Sequence, residues 1–204
     1  MKVKVCGLKY KDNIQKILNL KPDYVGFIFY AKSKRFVGEN VELPPISSDI
    51  KKVGVFVNAN ENYILDKINK YKLDIVQLHG EESPQFCERI KLTTEVIKAF
   101  GINEDFDFKK LEDYKTSCNY FLFDTKTPDF GGSGEQFNWE LLKKYTAQLP
   151  FFLSGGVALN NIKDILLLKA QLPYLYAIDV NSKFEIVPAI KDVEMINKLI
   201  RSIR

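Results

Sequence analysis

Two side chains that could move protons lie at the ends of short apolar segments. Cys6 ends the segment KVKVC, and Asp124 ends the segment YFLFD. A thiol whose pKa is near neutrality can act as a general base, and a partly desolvated carboxylic acid can act as a general acid. Each residue also has a structural interpretation, because free cysteines often fill cores and aspartates often cap turns. Together they indicate acid–base chemistry if the fold brings them to one site.

Glycine-rich loops in the second half of the chain indicate a phosphate site. Backbone N–H groups in such loops bind phosphate, although the run of glycines after Asp124 is also typical of a plain flexible loop. A P-loop is excluded, because Gly134 is followed by Glu135 where that motif has lysine. The phosphate is therefore expected to be a handle that is not transferred. The predicted phosphate-binding residues are Gly132, Ser133, Gly155, Gly156, Asn181 and Ser182.

Three further polar residues are candidates for the same site. Arg35, in the basic stretch AKSKRFV, could bind a carboxylate in bidentate fashion, although such stretches are usually solvated surface. Asp179 lies near the end of the last apolar segment, YAIDV. His79 is the only histidine, and we assign it at most a supporting role, because a lone histidine is more often structural.

These residues lie at the ends of eight short apolar segments or in the loops that follow them. The segments are KVKVC, YVGFIF, KVGVFV, IVQLH, EVIKAF, YFLFD, FFLS and YAIDV. Their apolar residues are continuous, as in parallel strands that are buried on both faces. Most are separated by segments with helical spacing, which predicts an α/β fold and a single (β/α)8 TIM barrel over residues 1–204. An open doubly wound sheet is the alternative, and the lack of GxGxxG after the first segment disfavours it.

The barrel prediction also places the candidate residues, because the active site of such a barrel lies at the C-terminal ends of its strands. The first helix is expected after Asp12, a plausible N-cap, with Ile14, Ile17 and Leu18 on its buried face. The second unit is irregular. Its segment VGENVELPPISSDI contains two adjacent prolines, so helix 2 is predicted to be short or missing.

Composition excludes several classes of protein. The 204 residues carry a net charge of only +4 with both signs interleaved, which argues against nucleic-acid binding. No segment approaches the roughly 18 apolar residues of a membrane helix, and the N-terminus does not have the pattern of a signal peptide. The three cysteines are far apart in sequence, which disfavours a disulfide framework or zinc site and predicts a cytoplasmic protein.

Taken together, these segments resemble the phosphoribosylanthranilate isomerase family of tryptophan biosynthesis. The resemblance is carried by KVKVCGL, YVGFIFY, SKRFV, VGVFVN, IVQLHGEE, FDT, GGSGEQFNW, LSGGV and AIDVNSKFE, and runs from about Lys2 to about Lys198. The Cys-Gly pair after the first strand is its most discriminating element, because other phosphosugar isomerases on this fold tend to have aspartate there.

The resemblance implies an Amadori rearrangement of N-(5-phosphoribosyl)anthranilate to 1-(2-carboxyphenylamino)-1-deoxyribulose 5-phosphate. It implies that Cys6 is the general base and Asp124 the general acid. Arg35 would hold the anthranilate carboxylate, Asp179 would orient the substrate near its amine, and the glycine loops with Ser182 would hold the phosphate. The reaction needs no metal or cofactor. The expected partner is this phosphorylated small molecule, with no nucleic acid or membrane, and the chain is expected to be a monomer or homodimer.

Two departures from the family pattern and two alternatives remain open. After the eighth strand the family usually has Ser-Ser-Gly-Val-Glu, whereas this chain has Asn-Ser-Lys-Phe-Glu at 181–185. A proline-bearing segment also stands where the family has its second helix.

One alternative function is a related phosphosugar isomerase of histidine biosynthesis, which would be expected to use two aspartates. The other is a non-catalytic barrel that binds a phosphorylated ligand. Cys6 argues against the first, and the Cys6/Asp124 pair argues against the second.

Overall fold

Eight parallel strands close into a barrel in the computed structural model, which describes residues 1–127 and 136–204. Strand β8 pairs with β1 in the register Lys2 with Ala177 through Val5 with Val180, and this pairing closes the sheet. The predicted (β/α)8 barrel is therefore confirmed. The strands are β1 (Lys2–Val5), β2 (Tyr24–Ile28), β3 (Lys51–Phe56), β4 (Ile75–Leu78), β5 (Glu95–Ile102), β6 (Tyr120–Thr125), β7 (Phe151–Leu153) and β8 (Leu175–Val180).

Helices surround this barrel in the described part of the chain. The α-helices are α1 (Lys11–Leu18), α2 (Glu61–Tyr71), α3 (Pro84–Lys91), α4 (Ile162–Gln171) and α5 (Val193–Ile203). Two longer 3₁₀ helices, Phe108–Tyr114 and Trp139–Lys144, follow β5 and β6. Side-chain caps begin several helices: Asn60 accepts from the N–H of Tyr63, and Ser83 accepts from that of Phe86. None of these helices has the length and apolar character needed to cross a bilayer.

No helix lies between β2 and β3, so the prediction that helix 2 is short or missing is confirmed. The connecting segment consists of turns and irregular backbone, and it is held against α2. The backbone carbonyl of Glu39 accepts hydrogen bonds from Lys67 Nζ and the Tyr71 hydroxyl, at 3.2 and 3.0 Å. These contacts replace the packing that a helix would supply.

Two local expectations change. Helix α1 begins at Lys11 after Tyr10, so Asp12 lies in its first turn and is not the N-cap. An acidic side chain there still interacts favourably with the helix dipole. After β6, the connecting segment forms the short 3₁₀ helix Trp139–Lys144, although the helical spacing between most strands predicts α-helices in general. A stretch of six residues is short enough for this tighter geometry.

The barrel interior changes from apolar to polar along the strands. Toward their N-terminal ends lies a cluster of apolar and aromatic side chains, comprising Tyr24, Val53, Ile75, Ile97, Ala99, Leu122, Phe152 and Ala177. Because alternate residues of a strand share a face, Lys4 and Cys6 both point inward from the β1 segment, and Gln77 and His79 point inward from the β4 segment. A buried polar layer therefore lies beneath the C-terminal mouth.

Candidate active site

One cavity at the C-terminal end of the barrel brings the predicted residues together. It is lined by Cys6, Arg35, His79, Asp124, Gly155, Gly156, Asp179, Asn181 and Ser182, among others. These residues lie at or after the C-terminal ends of six strands, β1, β2, β4, β6, β7 and β8, and they meet only because the sheet closes. The predicted phosphate-binding residues Gly132 and Ser133 lie outside the described residues.

Cys6 directly follows β1 at the seam where the barrel closes. Its N–H donates to the carbonyl of Val180 at 2.9 Å. Gly7 then adopts a φ of +76°, and a Cβ there would lie 2.6 Å from Asn181 Oδ1 and 2.8 Å from Arg35 Cδ. Only glycine meets both conditions. Burial raises the pKa of the Cys6 thiol, although the ammonium group of Lys4 opposes this effect, so the resting thiol is protonated at neutral pH.

Asp124 lies near the end of β6 and faces the cavity. One carboxylate oxygen, Oδ1, accepts from the N–H of Thr125 at 2.8 Å. Burial raises the pKa of this carboxyl group to about 6, while the hydrogen bonds from Thr125 and Ser154 partly offset the rise. The other oxygen, Oδ2, is 3.6 Å from Nε2 of His79. Asp124 can therefore hold a proton close to neutral pH, as a general acid requires.

A buried layer of hydrogen bonds supports the floor of the cavity. Lys4 Nζ donates to Asp179 Oδ1 at 2.9 Å and to Gln77 Oε1 at 2.8 Å. The amide nitrogen of Gln77 is 2.8 Å from His79 Nδ1. Sequence reasoning missed Lys4 and Gln77. Their signal is a polar side chain at an inward position of an otherwise apolar strand, which is costly unless the side chain is paired.

Arg35 is held beside the cavity by a hairpin that was not predicted, formed by β9 (Glu185–Val187) and β10 (Ile190–Lys191). Its Nε and Nη2 donate to the Glu185 carboxylate at 2.9 and 2.7 Å. Lys191 Nζ, which is fully buried, donates to the same carboxylate at 2.7 Å and to Asn181 Oδ1 at 2.6 Å. Two cations thus share one anion. Within the described residues, Glu185 occupies one edge of the guanidinium group, and Nη1 has no acceptor.

The charges of this cluster shift the pKa values of its members. Burial lowers the pKa of Lys191 to about 8, against the opposing effect of the Glu185 carboxylate. Burial would raise the pKa of Glu185, but Arg35 and Lys191 outweigh it and the pKa is lowered. The cluster therefore carries a net positive charge near neutral pH, which suits an anionic ligand group. The sequence analysis gave Glu185 no role in the site and missed Lys191.

The loops after β7 and β8 contribute backbone groups to the cavity. Gly155 and Gly156 have φ values of +74° and +75°, and a Cβ at Gly155 would lie 2.5 Å from Thr125 Oγ1. In the part of the chain that the structure describes, the N–H groups of Gly155, Gly156 and Ser182 have no acceptor. Such groups can hold a phosphate oxygen. Asn181 also lines the cavity, and its side-chain oxygen accepts from Lys191.

No group of three or more His, Cys, Asp and Glu side chains that could hold a metal ion occurs among residues 1–127 and 136–204. The polar groups of the cavity are instead two potential proton carriers, a cationic cluster and open backbone donors. This arrangement suits acid–base chemistry on an anionic small molecule.

A family model, curated relatives and solved structures share one family name. The sequence model described as N-(5'phosphoribosyl)anthranilate (PRA) isomerase matches residues 3–202. The N-(5'-phosphoribosyl)anthranilate isomerase of Parabacteroides distasonis is 41% identical, with all of this chain and 93% of the relative covered. The crystal structure of phosphoribosyl anthranilate isomerase from Thermus thermophilus has a TM-score of 0.84 at 28% identity, covering 100% of this chain and 98% of that one. A phosphoribosyl anthranilate isomerase in complex with reduced 1-(o-carboxyphenylamino)-1-deoxyribulose 5-phosphate has a TM-score of 0.79 at 32% identity. The match covers 99% of this chain and 97% of that one.

Proposed function

The chain belongs to the N-(5'-phosphoribosyl)anthranilate isomerase family, and we propose from this premise how its own residues perform the reaction. It is an isomerase of tryptophan biosynthesis that converts N-(5-phosphoribosyl)anthranilate into 1-(2-carboxyphenylamino)-1-deoxyribulose 5-phosphate. The observation that carries our assignment of roles is that Cys6 and Asp124 line one cavity with a cationic cluster and open backbone donors.

Asp124 acts as the general acid. Its proton passes to the ribose ring oxygen as the bond between that oxygen and C1 breaks, and the nitrogen lone pair forms a protonated Schiff base at C1. The pKa of about 6, raised by burial, supports this role because it keeps the proton available yet transferable near neutral pH.

Cys6 acts as the general base in the next step. The thiolate takes the proton from C2, and the C–H electrons form the C1=C2 bond and neutralise the iminium nitrogen. The resulting enaminol gains a proton at C1 and loses its hydroxyl proton to give the 2-ketone. Lys4 supports the thiolate, because its ammonium group lowers the pKa of Cys6 against the effect of burial. The reactive form therefore combines protonated Asp124 with ionised Cys6.

The remaining residues bind the two anionic ends of the substrate. Arg35 receives the anthranilate carboxylate on its free edge while Glu185 holds its other edge. Asp179 orients the substrate near its amine. The phosphate is bound by backbone donors of Gly155, Gly156, Asn181 and Ser182, together with Gly132 and Ser133, which lie outside the described residues.

We further propose that the protein acts in the cytoplasm. Its three cysteines, Cys6, Cys87 and Cys118, are all free, which supports a reducing compartment.

A pH profile of two variants tests the acid–base pair. Wild-type kcat/KM should fall below about pH 6, where Asp124 and Cys6 are both protonated, and again above the raised pKa of Cys6, where both are ionised. In Cys6→Ser, only protonated Asp124 is needed, so the remaining activity should fall above about pH 6. In Asp124→Asn, only the thiolate is needed, so activity should keep rising up to the pKa of Cys6. Each variant should lose at least about 100-fold in kcat.

The measurement is the loss of fluorescence of freshly prepared N-(5-phosphoribosyl)anthranilate. The ionisation of the substrate phosphate is common to all variants and cancels in the comparison. Cys87→Ser is the matched control, because Cys87 is a buried thiol on α3 that does not line the cavity, and its kcat/KM should equal that of the wild type. Wild-type rates in both Cys6→Ser and Asp124→Asn would refute the assignment.

A further inference from the structure

His79 contacts the proposed acid but takes no proton in the mechanism above. Its Nε2 is 3.6 Å from Asp124 Oδ2, which is close but longer than a hydrogen bond. Its other ring nitrogen, Nδ1, is 2.8 Å from the amide nitrogen of Gln77. The neutral imidazole has one proton, and which nitrogen carries it decides whether His79 donates to Asp124 or competes for its proton.

The hydrogen bonds beneath His79 decide this question. The ammonium group of Lys4 can only donate, so the atom of Gln77 that faces it at 2.8 Å must be the carbonyl oxygen. The amide nitrogen of Gln77 then faces His79, and it too can only donate. The ring nitrogen that faces Gln77 must accept and is therefore unprotonated. This conclusion follows from the donor chain and does not depend on how the hydrogens are assigned.

We propose that Lys4 and Gln77 fix His79 as the neutral tautomer protonated at Nε2, and that this N–H is directed at the carboxyl group of Asp124. His79 is thus a positioning residue for the general acid. A nitrogen that is already protonated cannot take the proton of Asp124, so the proton remains available to the ribose ring oxygen. Once Asp124 has given it up, the new carboxylate can accept from Nε2–H as the 3.6 Å gap shortens.

Burial and nearby ammonium groups keep the imidazole ring of His79 neutral. Burial, the largest cause, and the ammonium groups of Lys98 and Lys4 together lower the pKa of His79 to about 3. Its side chain is 16% exposed, and within residues 1–127 and 136–204 Asp124 is the carboxyl group at ion-pair distance. Lys4 is itself compensated by Asp179. An imidazolium at this position is therefore not the working form.

Because the chain has a single histidine, ¹⁵N NMR reports on this ring without ambiguity. In the resting wild-type protein, long-range ¹H–¹⁵N spectra should show an unprotonated Nδ1 and a protonated Nε2, with no titration between about pH 5 and pH 8. Gln77→Glu should exchange the two signals, because a carboxylate would accept from both Lys4 and His79. A protonated Nδ1 or a titrating ring in the wild type would overturn the proposal, as would an unchanged tautomer in folded Gln77→Glu.

A kinetic comparison tests the link to Asp124. In His79→Gln the side-chain amide can place an N–H near the position of Nε2, whereas His79→Leu removes the donor. His79→Leu should lower kcat about 10- to 100-fold, the range for a lost hydrogen bond to a charged group, and His79→Gln should recover most of that loss. Equal losses in the two variants would overturn the donor role. This inference rests on Asp124 as the general acid, but the NMR result is obtained without substrate and so stands or fails independently of that assignment.

Discussion

Asp124 shows, at the scale of single residues, how function opposes stability. Its pKa is about 6 in the folded protein, against an ordinary value of 3.8, and burial is the largest cause. A carboxyl group with a raised pKa binds its proton more tightly in the folded state. Its contribution to stability is therefore complete below pH 3.8 and is lost as the pH rises through about 6. The burial that raises the pKa of Asp124, and so suits it to the proposed role of general acid, also weakens the fold at neutral pH.

Asp124→Asn should accordingly stabilise the protein at neutral pH while lowering kcat. One pKa unit corresponds to about 1.4 kcal/mol, so the removed penalty is at most about 3 kcal/mol above pH 6 and vanishes near pH 4. Urea unfolding at pH 7 and pH 4 measures the difference. The exposed Asp105→Asn is the control and should show no pH-dependent gain. A variant that is less stable than the wild type at pH 7 would contradict the burial argument.

The hairpin β9–β10 shows, at the scale of elements, how a short irregular segment positions Arg35, the proposed binding residue. It brings Glu185 and Lys191 opposite each other, and Glu185 in turn holds Arg35, which comes from the loop after β2. The side chains of Arg35 and Glu185 are only 11% and 5% exposed, so this pair is shielded from water. A shielded, bidentate pair fixes the guanidinium orientation in a way that a surface pair does not.

Glu185→Gln should raise KM by about tenfold with a smaller effect on kcat, because Arg35 loses its fixed orientation before the substrate binds. Steady-state kinetics with N-(5-phosphoribosyl)anthranilate provide the measurement. Glu42→Gln is the matched control, since Glu42 pairs with Lys11 at the exposed surface and should leave both constants unchanged. A lower KM in Glu185→Gln would mean that Glu185 competes with the substrate carboxylate, contrary to the positioning role.

Across the whole molecule, the polar cavity and the stabilising aromatic cluster lie at opposite ends of the barrel axis. The proposed reacting side chains lie at the C-terminal mouth, whereas the N-terminal end is closed by aromatic side chains. There, the hydroxyl groups of Tyr24 and Tyr176 are 2.9 Å apart, and Tyr120 stacks on Tyr176 with ring centroids 5.5 Å apart. This division follows the general rule for such barrels. That residues 1–204 form one domain stays a prediction.

Tyr24→Phe should therefore lower the free energy of unfolding by about 1 kcal/mol, the usual value of one hydrogen bond, without changing kcat or KM. A double-mutant cycle with Tyr176→Phe isolates the hydroxyl pair. Tyr174→Phe serves as the control, because this more exposed tyrosine lies outside the pair. A change in kcat in folded Tyr24→Phe would show that the two ends of the barrel are coupled.

The sequence by itself determined the barrel and the missing second helix, and it predicted Cys6 and Asp124 as the acid–base pair. Continuous apolar runs indicate strands that are buried on both faces, and the strand ends of such a barrel converge on one mouth. Local patterns were therefore sufficient to predict the fold and the place of the cavity. The hairpin with Glu185 and Lys191, and the support of His79 by Lys4 and Gln77, were decided only by the tertiary structure. Their partners are far apart in the chain, with Lys4 and Gln77 separated by 73 positions and Arg35 and Glu185 by 150. A hydrogen bond between such residues depends on strand register and barrel closure, which no local pattern encodes.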